Sequence, residues 1–292
     1  MIMELTDKNT VKKAVFRRPD DANKGTCGTL LSVCGSYGMA GAAIMAGKSA
    51  LRSGLGLLKC ALPKSIYPIA AQVLPESVFL PLEETESGAI SAENTDLLLN
   101  EAAKSSALLC GCGLSATDDA CALVRGLIKN CEKPMVLDAD ALNCIAAAPD
   151  ILLEKHCEII ITPHPGEMGR LTGKTAAEVN LNRSGTAKDF AKKFGVTTVL
   201  KGAGTVIASP EGKIVENLTG NSGMATGGSG DVLAGVTASL LAQGAKPFDA
   251  ASAAVYLHGL AGDLAAQSLG KISMLPTDII EYLPQAFKSC GF

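Results

Sequence analysis

A repeated alternation restricts the fold of this chain more than any other feature: short apolar runs of strand length, each followed by a polar or glycine-rich cluster and then by a helix-length segment. The apolar runs are Thr29 to Cys34, Leu55 to Leu62, Ser77 to Leu80, Ala107 to Cys110, Pro134 to Asp138, Glu158 to Thr162 and Thr197 to Leu200. Between them, Met39 to Arg52, Asn94 to Lys104, Asp118 to Lys129, Ala141 to Ala147, Pro149 to Lys155 and Asn182 to Phe194 read as helices. Strands alternating with helices pair in parallel through right-handed crossovers, which puts helices on both faces of one sheet. The expected class is α/β, with a mostly parallel central sheet. Thr205 to Ala208 and Lys213 to Asn217 flank Ser209-Pro210-Glu211-Gly212, the mark of an antiparallel hairpin added at one edge. Asp231 to Ala242, Pro247 to Leu269 and Thr277 to Phe287 complete the helices, the last capped at Thr277 or Asp278. Met1 to Asn23 reads as an irregular lead-in or short helix.

With 292 residues, 47% of them hydrophobic, and no linker or repeat, the chain reads as one domain over residues 1–292. A net charge of −3 with no basic tract argues against nucleic acid or an acidic membrane surface as partner. No apolar run has membrane-spanning length. The ten cysteines lie mostly within apolar runs and no secretory signal precedes them, so they read as reduced core thiols of a cytoplasmic protein. Cys110-Gly111-Cys112 is too close and too isolated to supply the paired ligands of a structural zinc site.

In a parallel sheet, ligands bind beyond the carboxyl ends of the strands. Five polar clusters follow strands directly: Gly35 to Gly38, Gly111 to Ser115, Asp138 to Asp140, Thr162 to Glu167 and Lys201 to Gly204. All can face one cleft. The longest glycine-rich stretch, Asn217 to Gly235, ends at a helix start with Asp231, so free amide groups and the helix dipole can attract an anion there. Asp231 is then a helix cap or a base beside a phosphate. Lys201 at its strand end, with Gly202, Ala203, Gly204 and Thr205, suits nucleotide phosphates, or is a solvated lysine near a turn. Glu167 is a candidate for indirect contact with hydrated magnesium, or for a helix cap, and His164 for a polar ligand. Asp138 and Asp140 can orient a metal or cap the following helix, with capping the stronger reading for Asp140. His258 reads as packing and His156 as surface.

Gly228-Ser229-Gly230-Asp231 resembles the anion-hole and base motif of ribokinase-like small-molecule kinases. The wider set is similar to the NAD(P)H-hydrate dehydratases: Gly41 to Ala43, Asp138 to Asn143, Thr162 to Glu167, Lys201 to Thr205 and Asn221 to Gly235, spread over Lys24 to Lys288. The resemblance implies a three-layer ribokinase-like fold. It also implies ADP- or ATP-dependent dehydration of the S-form of hydrated NADH or NADPH (NADHX or NADPHX), with Mg2+, in a homo-oligomer, a tetramer. Position by position it implies Asp231 as the base on the ring hydroxyl and Ala43, Gly113 and His164 around the hydrate. It further implies Lys201, Gly202, Ala203, Gly204, Thr205, Asn221, Gly228 and Gly230 around the nucleotide. His164, where related kinases often carry Asn, favours the dehydratase branch, and the length leaves no space for an epimerase domain. The competing expectations are a vitamin- or thiazole-type kinase of the same fold, or a nucleotide-binding regulator without turnover. The small-residue helices Met39 to Arg52 and Asp249 to Leu269 are open to packing between subunits or within the chain.

Overall fold

The computed structural model describes residues 3–292. Its ten strands are β1 (Glu4–Leu5), β2 (Thr29–Val33), β3 (Leu57–Pro63), β4 (Val78–Leu82), β5 (Ala107–Cys110), β6 (Met135–Leu137), β7 (Ile159–Ile161), β8 (Thr197–Leu200), β9 (Thr205–Ala208) and β10 (Ile214–Asn217). They form one sheet in the order β1-β10-β9-β8-β7-β6-β5-β2-β3-β4. Neighbours pair in parallel except that β9 runs antiparallel to both β8 and β10. The hairpin stands at the expected end, but the two residues of β1 add a parallel strand outside it, with Glu4 opposite Val215. So short a strand, with both residues exposed, leaves no apolar alternation to read.

Helices α1 (Lys8–Ala14), α2 (Ala40–Arg52), α10 (Ser229–Ala242), α11 (Pro247–Leu269) and α12 (Pro276–Ser289) cover one face. Helices α4 (Thr95–Ala103), α5 (Asp118–Asn130), α6 (Asp140–Ile145), α7 (Pro165–Thr172) and α9 (Arg183–Phe194) cover the other, and α3 (Tyr67–Val73) and α8 (Ala176–Leu181) complete the set. Successive side chains of a strand alternate faces. In β5, Ala107 and Leu109 therefore enter the first core while Leu108 and Cys110 enter the second. Three layers result.

Several local readings change. Pro149–Glu154 is a 3-10 helix, and α3 and α8, of seven and six residues, are too short for a clear apolar period. Helix α12 has Leu275 as its cap, and Asp278 acts from the third helical position by accepting the Leu275 N–H at 2.7 Å. Most of the small residues of α2 and α11 are buried inside the chain. Gly235 of α10 lies so close to α2 that a Cβ would stand 2.1 Å from the Ala46 carbonyl. The buried ones among these small residues serve close helix packing within the chain.

The chain runs β2, β3, β4 toward one edge, then returns to place β5 on the other side of β2 and continues outward through β6, β7 and β8. The crossovers reverse direction between β2 and β5. A crevice opens at such a switch point, beyond the carboxyl ends of the two strands.

Candidate active site

The first turn of α10 forms one wall of the crevice. Gly228 is the residue before the helix and has φ of 106°, a left-handed conformation that glycine adopts without strain. Ser229, Gly230 and Asp231 then occupy the first three helical positions. The helix thus begins two residues before Asp231, which makes Asp231 a first-turn acid and leaves no side-chain cap. The Ser229 N–H donates to the Thr226 carbonyl at 3.2 Å. The Gly230 and Asp231 N–H groups precede the first intrahelical bond, made by Val232 to Gly228 at 3.1 Å, and so can meet an anion. The loop ahead of the helix is tied to α11. Gly220 N–H donates to Asp263 at 2.9 Å, and the Asn221 amide donates to Asp263 and to the Gly262 carbonyl, both at 3.0 Å. Asn221 therefore acts by holding the loop, since both its side-chain donors are occupied.

Lys201 directly follows β8, on the opposite wall. Its Nζ is 2.8 Å from Asp138 Oδ1 and 3.8 Å from Glu167 Oε2. Burial lowers the affinity of this ammonium for its proton, but Asp138 and Glu167 together outweigh that and hold it charged. A Cβ on Gly230 would sit 3.3 Å from Lys201 Nζ, so the two glycine-rich loops do meet. The Gly202 to Gly204 turn is held by Arg183, which donates to the carbonyls of Leu200 and Ala203 at 2.9 and 2.8 Å. The Thr205 hydroxyl donates to the Gly202 carbonyl at 2.9 Å, so this turn offers its backbone to a ligand.

Asp138 is neither a cap nor free. Its Oδ1 accepts from Thr162 at 2.7 Å as well as from Lys201, and its Oδ2 faces the Cys112 thiol at 3.8 Å. Asp140 also caps no helix end; its carboxylate accepts the Ser115 N–H at 2.8 Å and so fixes the loop after β5. Asp231, in the first turn of α10, is only partly exposed. Its pKa is pushed up to about 6, first by burial and then by the charge of Asp138, against the opposing effects of Cys112 and Lys201. A base poised close to neutrality results, matched to removing a proton from a hydroxyl.

His164 and Glu167 form a capping box at the start of α7. The imidazole Nδ1 accepts from the Gly166 and Glu167 amides at 3.0 and 3.3 Å, and Glu167 Oε2 accepts the His164 N–H at 2.7 Å. Burial, then Lys201 and Arg170, lower the His164 pKa, so the ring is neutral with Nε2 carrying its proton. Burial raises the Glu167 pKa.

At the switch point, a Cβ on Gly113 would meet Ala42 Cβ at 2.8 Å, and one on Gly35 would meet Ala43 Cβ at 3.1 Å. Both alanines thus line the crevice side of α2. Buried Ser36 ties the two loops together by donating to the Gly113 carbonyl at 2.9 Å. Ser36 and Thr162 had no individual role in the sequence reading, and Cys112 entered it only as a core thiol set aside as a zinc ligand; all three belong to the clusters that follow strands β2, β5 and β7, which was the signal available. His258 is buried as expected, and burial lowers its pKa to about 4.

The family model described as NAD(P)H-hydrate dehydratase matches residues 30–285. The chain belongs to the NAD(P)H-hydrate dehydratase family. A bifunctional NAD(P)H-hydrate repair enzyme of Moorella thermoacetica is 42% identical over 273 residues, which are 94% of this chain and 52% of that protein. The chain spans about half the length of such bifunctional relatives. The ADP-dependent (S)-NAD(P)H-hydrate dehydratase of Neisseria meningitidis is 40% identical, covering 88% of this chain and 83% of its own. The crystal structure of the ADP/ATP-dependent NAD(P)H-hydrate dehydratase of Bacillus subtilis, co-crystallised with ATP/Mg2+, superposes with a TM-score of 0.84 at 31% identity over 99% of each chain. A hydroxyethylthiazole kinase from Pyrococcus horikoshii, at 16% identity and a TM-score of 0.60, shares the fold alone. The three-layer ribokinase-like architecture expected of the family is the one observed.

Proposed function

We propose that this chain is an ADP- or ATP-dependent dehydratase that returns the hydrated nicotinamide ring of NADHX or NADPHX to the dihydropyridine. The observation that carries this reading is the placement of Asp231. A partly buried carboxylate with a pKa near neutrality stands in the same helical turn as two outward amides, across the cleft from a half-buried lysine. Hydroxide is a poor leaving group and phosphate a good one. Asp231 takes the proton of the ring hydroxyl as its oxygen attacks the terminal phosphorus of the nucleotide, and the bridging oxygen departs with the shortened nucleotide. The ring nitrogen's lone pair then expels phosphate, and loss of a proton from the neighbouring carbon restores the double bond. The protein supplies alignment and charge, which is what phosphoryl transfer demands. The turn at Gly228, the Gly230 and Asp231 amides that follow it, and Lys201 receive the transferring group. Gly202 to Thr205 hold the nucleotide through backbone, and Asn221 fixes the loop. Ala43, Gly113 and neutral His164 bound the hydrate.

Magnesium fits only indirectly. Glu167 Oε2 is occupied by a backbone N–H and Oε1 stands 3.4 Å from His164 Nε2, so a water-mediated contact to a hydrated ion on the phosphates is what Glu167 can offer. Such an ion would offset phosphate charge. Incubation with NADHX and ADP, followed by the absorbance of NADH, tests the proposal. NADH should return only when nucleotide is present. A phosphorylated ring product that accumulates without NADH would instead assign the chain to the kinases.

A further inference from the structure

Cys112 takes no part in the proposed transfer, yet its buried thiol faces the Asp138 carboxylate beneath the cleft. One ligand atom each from Cys112, Asp138 and Asp231 all lie within 4.8 Å of one another. The three come from separate elements, following β5, following β6 and on α10, and Cys112 and Asp138 are 0% and 1% exposed. The two cysteines of Cys110-Gly111-Cys112 do not act together, since Cys110 faces one core and Cys112 the other. Cys112 finds its partners across the sheet instead. Asp138 divides its oxygens: Thr162 and Lys201 both bind Oδ1, which leaves Oδ2 facing the thiol.

We propose that Cys112, Asp138 and Asp231 form a binding site for a thiophilic divalent cation of the zinc class, and that its occupation captures the catalytic base and stops turnover. The inhibition rests on the function proposed above; the binding does not. One thiolate and two carboxylates are ligand types that zinc accepts, and three protein ligands leave a fourth position open. Magnesium prefers oxygen ligands in an octahedron and keeps its waters, so a buried thiol selects against the ion the nucleotide carries. Bond lengths of about 2.0–2.3 Å imply ligand atoms roughly 3–4 Å apart, so the triad closes by about 1 Å on binding. Cys112 releases its thiol proton to water as the sulfur takes the metal. The thiolate and two carboxylates then carry three negative charges, balanced by the dication and the Lys201 ammonium, which keeps its own oxygen of Asp138.

The full chain, freed of metal by chelator, is titrated with Cd2+ while the thiolate-to-cadmium charge-transfer absorption is followed. One equivalent should saturate the band. Cys112→Ala and Cys112→Ser should both lose it, whereas Cys121→Ser, on α5 against the other core, should keep it; circular dichroism checks that each variant is folded. Zn2+ should displace the cadmium and inhibit NADH return, chelator should restore it, and Cys112→Ser should weaken that inhibition by more than the roughly tenfold that even an outer partner of a metal contributes. A band undiminished in both Cys112 variants, or none in the wild-type chain, overturns the site. Stoichiometric binding without inhibition of a demonstrated dehydratase overturns the switch. Cadmium binding through Cys112 in a chain that never returns NADH supports the site while removing the dehydratase reading.

Discussion

The two edges of the same sheet differ in what they bury. At the amino edge a groove of about 390 Å³ runs past Thr26, Ser106, Pro134 and Glu158, and its polar groups pair locally, as where Thr29 N–H donates to the Ser106 hydroxyl at 3.1 Å. At the carboxyl edge stand Asp138 and Glu167, the only buried acids among the described residues, with Lys201 between them. Ser115 and Ala139, the only non-glycine residues with positive φ among those described, also belong to carboxyl-edge loops. Concavity therefore does not pick out the functional edge. Buried charge and backbone strain, which cost stability and persist where function needs them, are present at one.

Substitutions at the two edges should therefore diverge. The largest effect is expected for Asp231→Asn, which should lower kcat by about 10²–10⁴-fold, the usual worth of a general base, with ADP affinity by calorimetry little changed. The same variant should melt higher. The folded pKa of about 6 lies above the ordinary 3.8, so the ionised form costs stability that is lost as pH rises through that window. Removing the charge should return up to about 3 kcal/mol at neutral pH. Asp231→Asn melting below wild type would break this account of the pKa.

Lys201→Met strips the cation from two buried carboxylates and should destabilise by about 3–5 kcal/mol in denaturant unfolding. Lys129→Met, which removes an exposed pair with Glu154 at 2.9 Å, should stay within about 1 kcal/mol. Equal losses would erase the contrast. Next in size is the pH profile. Because Asp231 must be ionised, kcat/KM for the hydrate should fall about tenfold per pH unit below about 6 and level off above it. A flat acid limb would remove Asp231 from the proton-transfer role. The smallest effect belongs to the amino edge: Ser106→Ala should cost about 0.5–1.5 kcal/mol and leave kcat unaltered.

The alternation of strands and helices was legible because apolar runs of fixed length carry it, and so were the five loops that meet at the cleft. Elements without a period were not: β1 has two residues and α8 six. At the site, Asp231, Lys201, His164 and Glu167 could be read because strand ends and helix starts announce them. Their pairings could not. That Asp138 binds Lys201 rather than a helix end depends on β6 and β8 standing two strands apart in the sheet, a fact of topology. The poise of Asp231 likewise depends on burial and on Asp138, neither visible in the glycine motif that contains it.

Phosphorus NMR of a reaction with NADHX and ADP, with NADH read by absorbance in the same tube, tests the central claim most directly. The account predicts one AMP and one inorganic phosphate for each NADH returned, and no lasting phosphorylated ring. ADP consumed to give a stable phosphoester, or NADH returned without consumption of nucleotide, would contradict it.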